Sequence, residues 1–465
     1  VAFLMILQSV ATDLSDAAAQ ALAAGVDVEL PTGDAYLAPL KKAVEDGTVP
    51  MALVDRAVTR AVAQKERLGL LDEDFSGEPP RGVDLDSPAH RDAARALAEE
   101  SVVLVANDGT LPLQATGTLA VVGPNADRAA ALFGCYSFAN HVLAQRPGVD
   151  LGFEAPTPRE SLAAAWEGDI RYAAGCAIDD DDRTGFDEAV RVASEADTAV
   201  LVMGDHAGLF GRGTVGEGCD RDSLELPGAQ RDLVEAVLAT GTPVVLVLIT
   251  GRPYAVDWAI ERCAAVVQAF FPGEEGAGAI EGVLTGRINP SGRLPVSLPR
   301  SAGAQPYSYL HTLLGGNTEV TNLSTTPAAC FGHGLSYTTF THADLRVADA
   351  PTDGFIVATV TVANVGDREG DEVVQLYGHD LVGSVARPVA QLLGFRRVRL
   401  APGHSVEVTF DVPTTRLAFS DRRYTRVVEP GRVNLWTGDA EHRLSKAEIS
   451  LTGAVHPITN DSPRL

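Results

Sequence analysis

TAVLVMGDHAGLFGRGTVGEGCDRDSLELPGAQRDLVEAVLATGTPVVLVLIT, residues 198–250, sets the fold class. Its two apolar runs, at 198–204 and 243–250, have strand length and are rich in the β-branched residues that strands favour. Between them, residues 228–239 follow a helical spacing of apolar positions. Each strand is apolar throughout rather than on alternate residues, which is the pattern of a parallel sheet covered by helices on both faces. Similar runs occur at SVVLVA (101–106), LAVVG (119–123) and AAVVQAFF (264–271), and Ser87-Pro88 opens a helix before the first of them. Residues 88–300 are therefore expected to form a doubly wound α/β sandwich.

Beyond this core the rhythm changes. After a connector at 301–335, FIVATVTVANVG, EVVQLYGHD, SVEVTFDV and RVNLWTG are short strands separated by Gly, Pro and Asp turns. That spacing predicts an antiparallel β-sandwich over 336–453, with Tyr337, Phe340, Phe395 and Phe419 in its core and a loose tail at 454–465. On the other side, LDEDFSGEPPRGVDLD makes 71–87 an acidic linker rich in Gly and Pro. Residues 1–70 hold short α/β pieces: a helix from an Asp13 cap to a Gly25 stop, a period-two strand VDVEL (26–30), and helices over 35–45 and after Pro50. These pieces are too few to close a core alone.

Composition narrows the function. The chain has 465 residues, 45% of them apolar, and a formal charge of −25 spread along its length. A nucleic-acid partner is not expected, because phosphate binding needs a positive footprint. No apolar run reaches membrane-spanning length, so no membrane partner is expected. The five cysteines stand far apart, with no CxxC or Cys/His spacing, so neither a disulfide framework nor a metal site is expected; their usage leans weakly toward a cytoplasmic setting. Phosphate-binding P-loop, nucleophile-elbow and HExxH patterns are absent, and no cofactor is implied.

The loop after 198–204 is the natural place for chemistry, because functional groups collect beyond the carboxyl ends of strands in open α/β sheets. Glu217 stands there between Gly216 and Gly218, which allow the backbone angles that project a carboxylate outward. Asp220 and Arg221 follow and are expected to pair with each other or orient the loop, and His206 at the strand end is expected to line a site. On pattern alone, a solvated loop glutamate remains the commoner reading.

Longer motifs raise the stakes. VGEGCDRDSLELPGAQ, LITGRP, FFPGEEGAGAIEGVLTGRINPSGRLPVSLP and FGHGLSYTTF, in this order, resemble the C-terminal portion of family 3 glycoside hydrolases, and AAAQALAAGVDVELPTGDAY resembles the segment after that family's nucleophile motif. The resemblance implies a retaining exo-acting β-glycosidase of β-glucosidase or β-xylosidase type, acting on a β-linked oligosaccharide or glycoside. It implies that residues 1–70 are the C-terminal remnant of a (β/α)8 barrel, that Glu217 is the acid/base, and that 336–453 is a fibronectin type III-like domain. The aspartate nucleophile is then expected upstream of Val1, in a missing N-terminal barrel, since Asp13, Asp16 and Asp27 belong to the post-nucleophile segment; the chain alone is expected to be inactive. The alternatives are a non-catalytic carbohydrate-binding or interaction module and, more weakly, a Rossmann-like nucleotide binder, whose glycine fingerprint GLFGRG does not complete.

Overall fold

The computed structural model describes residues 2–78, 82–146, 148–304, 308–459 and Ser462. Val1, residues 79–81 of the expected linker, 305–307 of the connector, and 460, 461 and 463–465 of the expected tail lie outside the described residues. The chain divides into two compact units, one ending at Leu85 and the other running from Asp86.

The N-terminal unit is helical, with α1 (Ala2–Leu7), α2 (Leu14–Ala24), α3 (Ala38–Glu45) and α4 (Met51–Arg67). Asp13 caps α2 by accepting from the Asp16 amide, and Gly25 ends it at φ 99°, as the sequence signals predict. Ala17, Ala18, Leu22, Ala43, Val49 and Ala57 bury between the helices. The predicted strand at 26–30 is not one. Among the described residues it has no ladder partner, and side chains serve its surroundings instead: Tyr36 donates to the Val26 carbonyl at 2.6 Å, and Glu29 accepts from the Ala35 and Tyr36 amides. Alternation describes a strand only where a neighbour offers hydrogen bonds.

The second unit opens with α5 (Pro88–Ser101), capped by the Ser87 hydroxyl. A six-stranded sheet follows: β1 (Val103–Asn107), β2 (Thr118–Val122), β3 (Asp169–Ala173), β4 (Thr198–Gly204), β5 (Val244–Ile249) and β6 (Ala265–Gln268), in the order β1-β6-β5-β4-β2-β3. All neighbours are parallel except β1, which runs antiparallel to β6. Helices α6 (Pro158–Ala165), α7 (Phe186–Ser194), α8 (Gln230–Leu238), α9 (Asp257–Arg262) and α10 (Gly276–Thr285) complete the layers. The continuous apolar runs are explained by two cores. Ala199, Leu201, Met203, Leu246 and Leu248 pack with Ala189 and Leu233 on one face, while Val200, Val202, Val245 and Val247 pack with Ile280 and Leu284 on the other. Glu275 binds Arg91 and Arg95 of α5 at 3.1 and 3.2 Å, holding α5 to the start of α10.

The β-sandwich comprises β7 (Phe340–Val347), β8 (Ala350–Pro351), β9 (Phe355–Asn364), β10 (Gly370–Asp380), β11 (Gln391–Leu400), β12 (Ser405–Pro413), β13 (Phe419–Ser420), β14 (Arg426–Val428), β15 (Gly431–Gly438), β16 (Arg443–Thr452) and β17 (His456–Pro457). Its two main sheets are β11-β10-β15-β16-β8 and β12-β9-β7. The expected loose tail begins instead with β17, which pairs with β14 and so satisfies its backbone. The aromatic core matches expectation only in part. Phe395 is 60% exposed and Tyr337 packs into the α/β layer, donating to the Val283 carbonyl at 2.6 Å, whereas Phe419 is buried as expected, under the Arg387 guanidinium, and Phe340 packs against the sandwich core. The buried aromatic pair is Tyr377 and Trp436, stacked with ring centroids 5.7 Å apart.

Sandwich and α/β layer are joined by a buried charge cluster. Arg293 binds Glu372 at 2.7 Å, and His342 Nε2 lies 3.3 Å from the same carboxylate. Burial alone would push the Glu372 carboxyl up, but His342 and Arg293 more than offset it and hold it below its ordinary 4.5. A carboxyl depressed on folding stabilises above its unfolded value, and that contribution fades as pH falls through the lower folded value. Glu372→Gln should therefore be less stable at neutral pH and flatten part of the acid dependence below 4.5. Melting temperatures followed from about pH 7 to about pH 3 check this; parallel curves for the two proteins would refute it.

Candidate active site

Gly204 ends β4 at φ 140°, where a Cβ would stand 1.9 Å from the Ile249 carbonyl oxygen, so only glycine fits. The fully buried Gln230 side chain locks this strand end: its Oε1 accepts from the Gly204 amide at 2.7 Å, and its Nε2 donates to the carbonyls of Gly204 and Ile178. The long loop then begins with Asp205, also fully buried. Its Oδ1 accepts from the Thr214 hydroxyl at 2.6 Å and the Tyr254 hydroxyl at 2.5 Å, and its Oδ2 from the Gly251 amide at 2.8 Å. Burial, followed by the Asp205 charge, pushes the Tyr254 phenol well above its usual value, so it stays a donor.

The loop folds back on itself. The Thr214 amide donates to the His206 carbonyl, Gly208 to Val215, and Phe210 to Glu217, at 2.8 to 2.9 Å. Gly216 and Gly218 adopt φ of 126° and 71°, the left-handed angles that the sequence signal anticipates around Glu217. From β5's end, Arg252 reaches across and donates to the carbonyls of Thr214 and Cys219, both at 3.0 Å. The loop is thus braced on both sides of Glu217, whose exposed carboxylate accepts a hydrogen bond from Tyr136. The hydrogen bond to Glu217 raises the Tyr136 phenol above its ordinary value.

The other sequence candidates have separate places. Arg221 pairs with Asp179, not with Asp220, because the chain turns Arg221 toward the loop before α7. Asp220 is exposed and makes no ion pair among the described residues. His206 is half-buried and lines a cavity of 590 Å³ with Arg128, Asn140, His141, Phe210 and Arg212. Burial and then the Arg128 charge push its imidazole below 6.5, against a smaller opposing pull from Asp179, so it is predominantly neutral at pH 7. Glu217 is not in that cavity lining. Cys219 is buried, as a packing residue should be.

With this geometry in place, the chain's kinships are specific. Residues 102–337 match the glycosyl hydrolase family 3 C-terminal domain, and 372–441 match a fibronectin type III-like domain. The chain belongs to glycoside hydrolase family 3. It is 36% identical to a periplasmic beta-glucosidase of Salmonella typhimurium, over 96% of this chain and 62% of that protein, and 33% identical to a beta-xylosidase of Formosa agariphila, over 95% and 62%. It is similar in structure to the beta-glucosidase of Listeria innocua determined in complex with glucose, with a TM-score of 0.85, 28% identity, and coverage of 97% of this chain and 61% of that one. The chain thus spans about six-tenths of the length of the family 3 relatives it matches.

Sequence reasoning missed Asp205, Thr214, Tyr254, Arg252 and Tyr136. Asp205 and Arg252 did carry a signal, since both sit just past the carboxyl ends of central strands. Tyr136 carried none. Asp205→Ala should leave two hydroxyls and an amide without their buried acceptor, a loss of about 3 kcal/mol and a fall of roughly 6–12 °C in Tm. Asp205→Asn should recover part of it. Calorimetry on the three proteins checks the order; an unchanged Tm in Asp205→Ala would show that the loop is not anchored there.

Proposed function

We propose that the protein to which this chain belongs is a retaining, exo-acting β-glycosidase of β-glucosidase or β-xylosidase type, with Glu217 as its acid/base. The observation carrying this reading is the Glu217 carboxylate itself: exposed, bonded by Tyr136, and held on a loop that Arg252 and Asp205 fix to the carboxyl end of the sheet. Family membership and relatives named beta-glucosidase and beta-xylosidase support it.

Retaining hydrolysis uses two carboxyl groups about 5 to 5.5 Å apart across the scissile bond. One attacks the anomeric carbon while the other, here Glu217, protonates the departing oxygen. Glu217, now a carboxylate, then takes a proton from water as that water displaces the enzyme carboxylate. The nucleophile would come from the part of the relatives' length that this chain does not span, so residues 1–70 are proposed as the end of that barrel, 88–300 as the domain carrying the acid/base loop and 336–453 as a domain supporting it.

The stereochemistry of the first-formed sugar tests the reading. NMR of a β-glucoside digest by the full-length parent should show the β-anomer accumulating before mutarotation. An α-anomer first would require a water-separated carboxyl pair and end the proposal.

A further inference from the structure

The turn between β15 and β16 places Asp439 and His442 three residues apart and brings them against Cys330, which lies far earlier in the chain, just before the sandwich. We propose that Cys330, Asp439 and His442 form a binding site for one thiophilic divalent transition-metal ion of the zinc class. Sequence spacing gives no hint of it, because the thiol and the other two ligands meet only through the fold.

Three observations carry the proposal. One ligand atom from each residue lies within 4.8 Å of the others, and this is the one such cluster among the described residues. His442 Nδ1 stands 3.0 Å from Asp439 Oδ2. Two donors at that spacing, each about 2.1 Å from one ion, subtend about 90°, and a shift of a few tenths of an ångström reaches the tetrahedral angle. The donor set of thiolate, imidazole and carboxylate also suits zinc and its neighbours better than calcium or magnesium, which prefer oxygen alone.

The frame is rigid enough to hold such a site. Trp436 Nε1 donates to the Asp439 carbonyl at 3.0 Å, and the Ala440 amide donates to the carbonyl of Phe331, the residue after Cys330, at 3.3 Å. Gly438 adopts φ 131°, and a Cβ there would stand 2.0 Å from the His442 carbonyl oxygen, so the tight turn requires glycine. The amides of Glu441 and His442 bind Asp439 Oδ1 at 2.9 and 2.6 Å, which orients the carboxylate; His442 Nδ1 lies 3.1 Å from Oδ1 and 3.0 Å from Oδ2, so an ion would take the place of the contact that now joins ring and carboxylate. Cys330 is buried and His442 exposed, so an ion enters from the solvent side and keeps one position for water. Binding converts the thiol to a thiolate and releases one proton to the buffer. The ion would fasten the β15–β16 turn to the segment before the sandwich.

Cobalt(II) is the probe. The metal-stripped protein is titrated with Co²⁺ and followed by absorbance. A thiolate-to-cobalt charge-transfer band with tetrahedral d–d intensity should saturate at one equivalent and disappear on adding Zn²⁺. The band should be lost in Cys330→Ser, and affinity should fall at least tenfold in His442→Ala, with Tm of the parent protein rising when Zn²⁺ is present. No charge-transfer absorption at one equivalent would overturn the site, as would the same band persisting in Cys330→Ser. If burial makes Cys330→Ser fold poorly, the exposed His442 decides: Co²⁺ affinity in His442→Ala within twofold of the parent would overturn the proposal.

Discussion

Glu217→Ala in the full-length parent is expected to lower hydrolysis of unactivated disaccharides by roughly 10²–10⁴-fold, the range that a positioned general acid supplies. The sugar leaving group is a poor one and needs its proton as the bond breaks. Activated aryl glycosides need none, so they should still form the glycosyl-enzyme and release aryl alcohol in a burst. The second step should then stall for want of a base. Azide attacks without losing a proton, so it should restore turnover and yield a β-glycosyl azide, because two inversions preserve configuration. Asp220→Ala and Glu225→Ala are the controls: Asp220 is exposed, and Glu225 is tied to Arg231 at 2.8 Å. Normal disaccharide hydrolysis by Glu217→Ala, or azide rescue confined to a control, would assign the role to another residue.

A second large effect concerns the 465 residues by themselves. They are expected not to turn over nitrophenyl β-glucoside or β-xyloside, because one carboxyl group cannot run both displacements and the sugar-holding groups are proposed to lie in the barrel. Added azide should not help, since no glycosyl-enzyme forms for it to attack. Robust release of nitrophenol by the purified chain, surviving in Glu217→Ala but lost in an aspartate variant within it, would place the nucleophile among these residues and undo that part of the proposal.

How far the sequence could be read follows from where each residue gets its constraints. β4 and β5 were legible because helices cover both faces, which forces every position to be apolar. β3, with the sequence Asp-Ile-Arg-Tyr-Ala, was not: it is an edge strand with only one residue fully buried, so its composition is nearly that of a loop. The antiparallel direction of β1 was equally hidden, since direction comes from connections and not from side chains. The segment at 26–30 shows the opposite failure, a strand pattern with no ladder to join. In the site, Glu217 stood out through its glycine neighbours and the motif around it. Of its supports, Tyr136 carried no signal and Arg252 only its place past a strand end, because both come from other stretches of chain and become neighbours of the loop only after folding. Of the two readings for Arg221, pairing with Asp220 or orienting the loop, the first fails because Arg221 pairs with Asp179, as adjacent numbering says little about which way two side chains point.

The stacked Tyr377–Trp436 pair gives the sandwich an optical identity. Of the three tryptophans, Trp436 alone belongs to it, fully buried between Tyr377 and the Arg443 guanidinium. Trp166, which donates to the Gly117 carbonyl, and Trp258, under Arg231, belong to the α/β layer. With those two replaced by phenylalanine, the emission of Trp436 becomes a private signal: a shift to longer wavelength reports water reaching the sandwich, separately from the melting of the layer that carries Glu217.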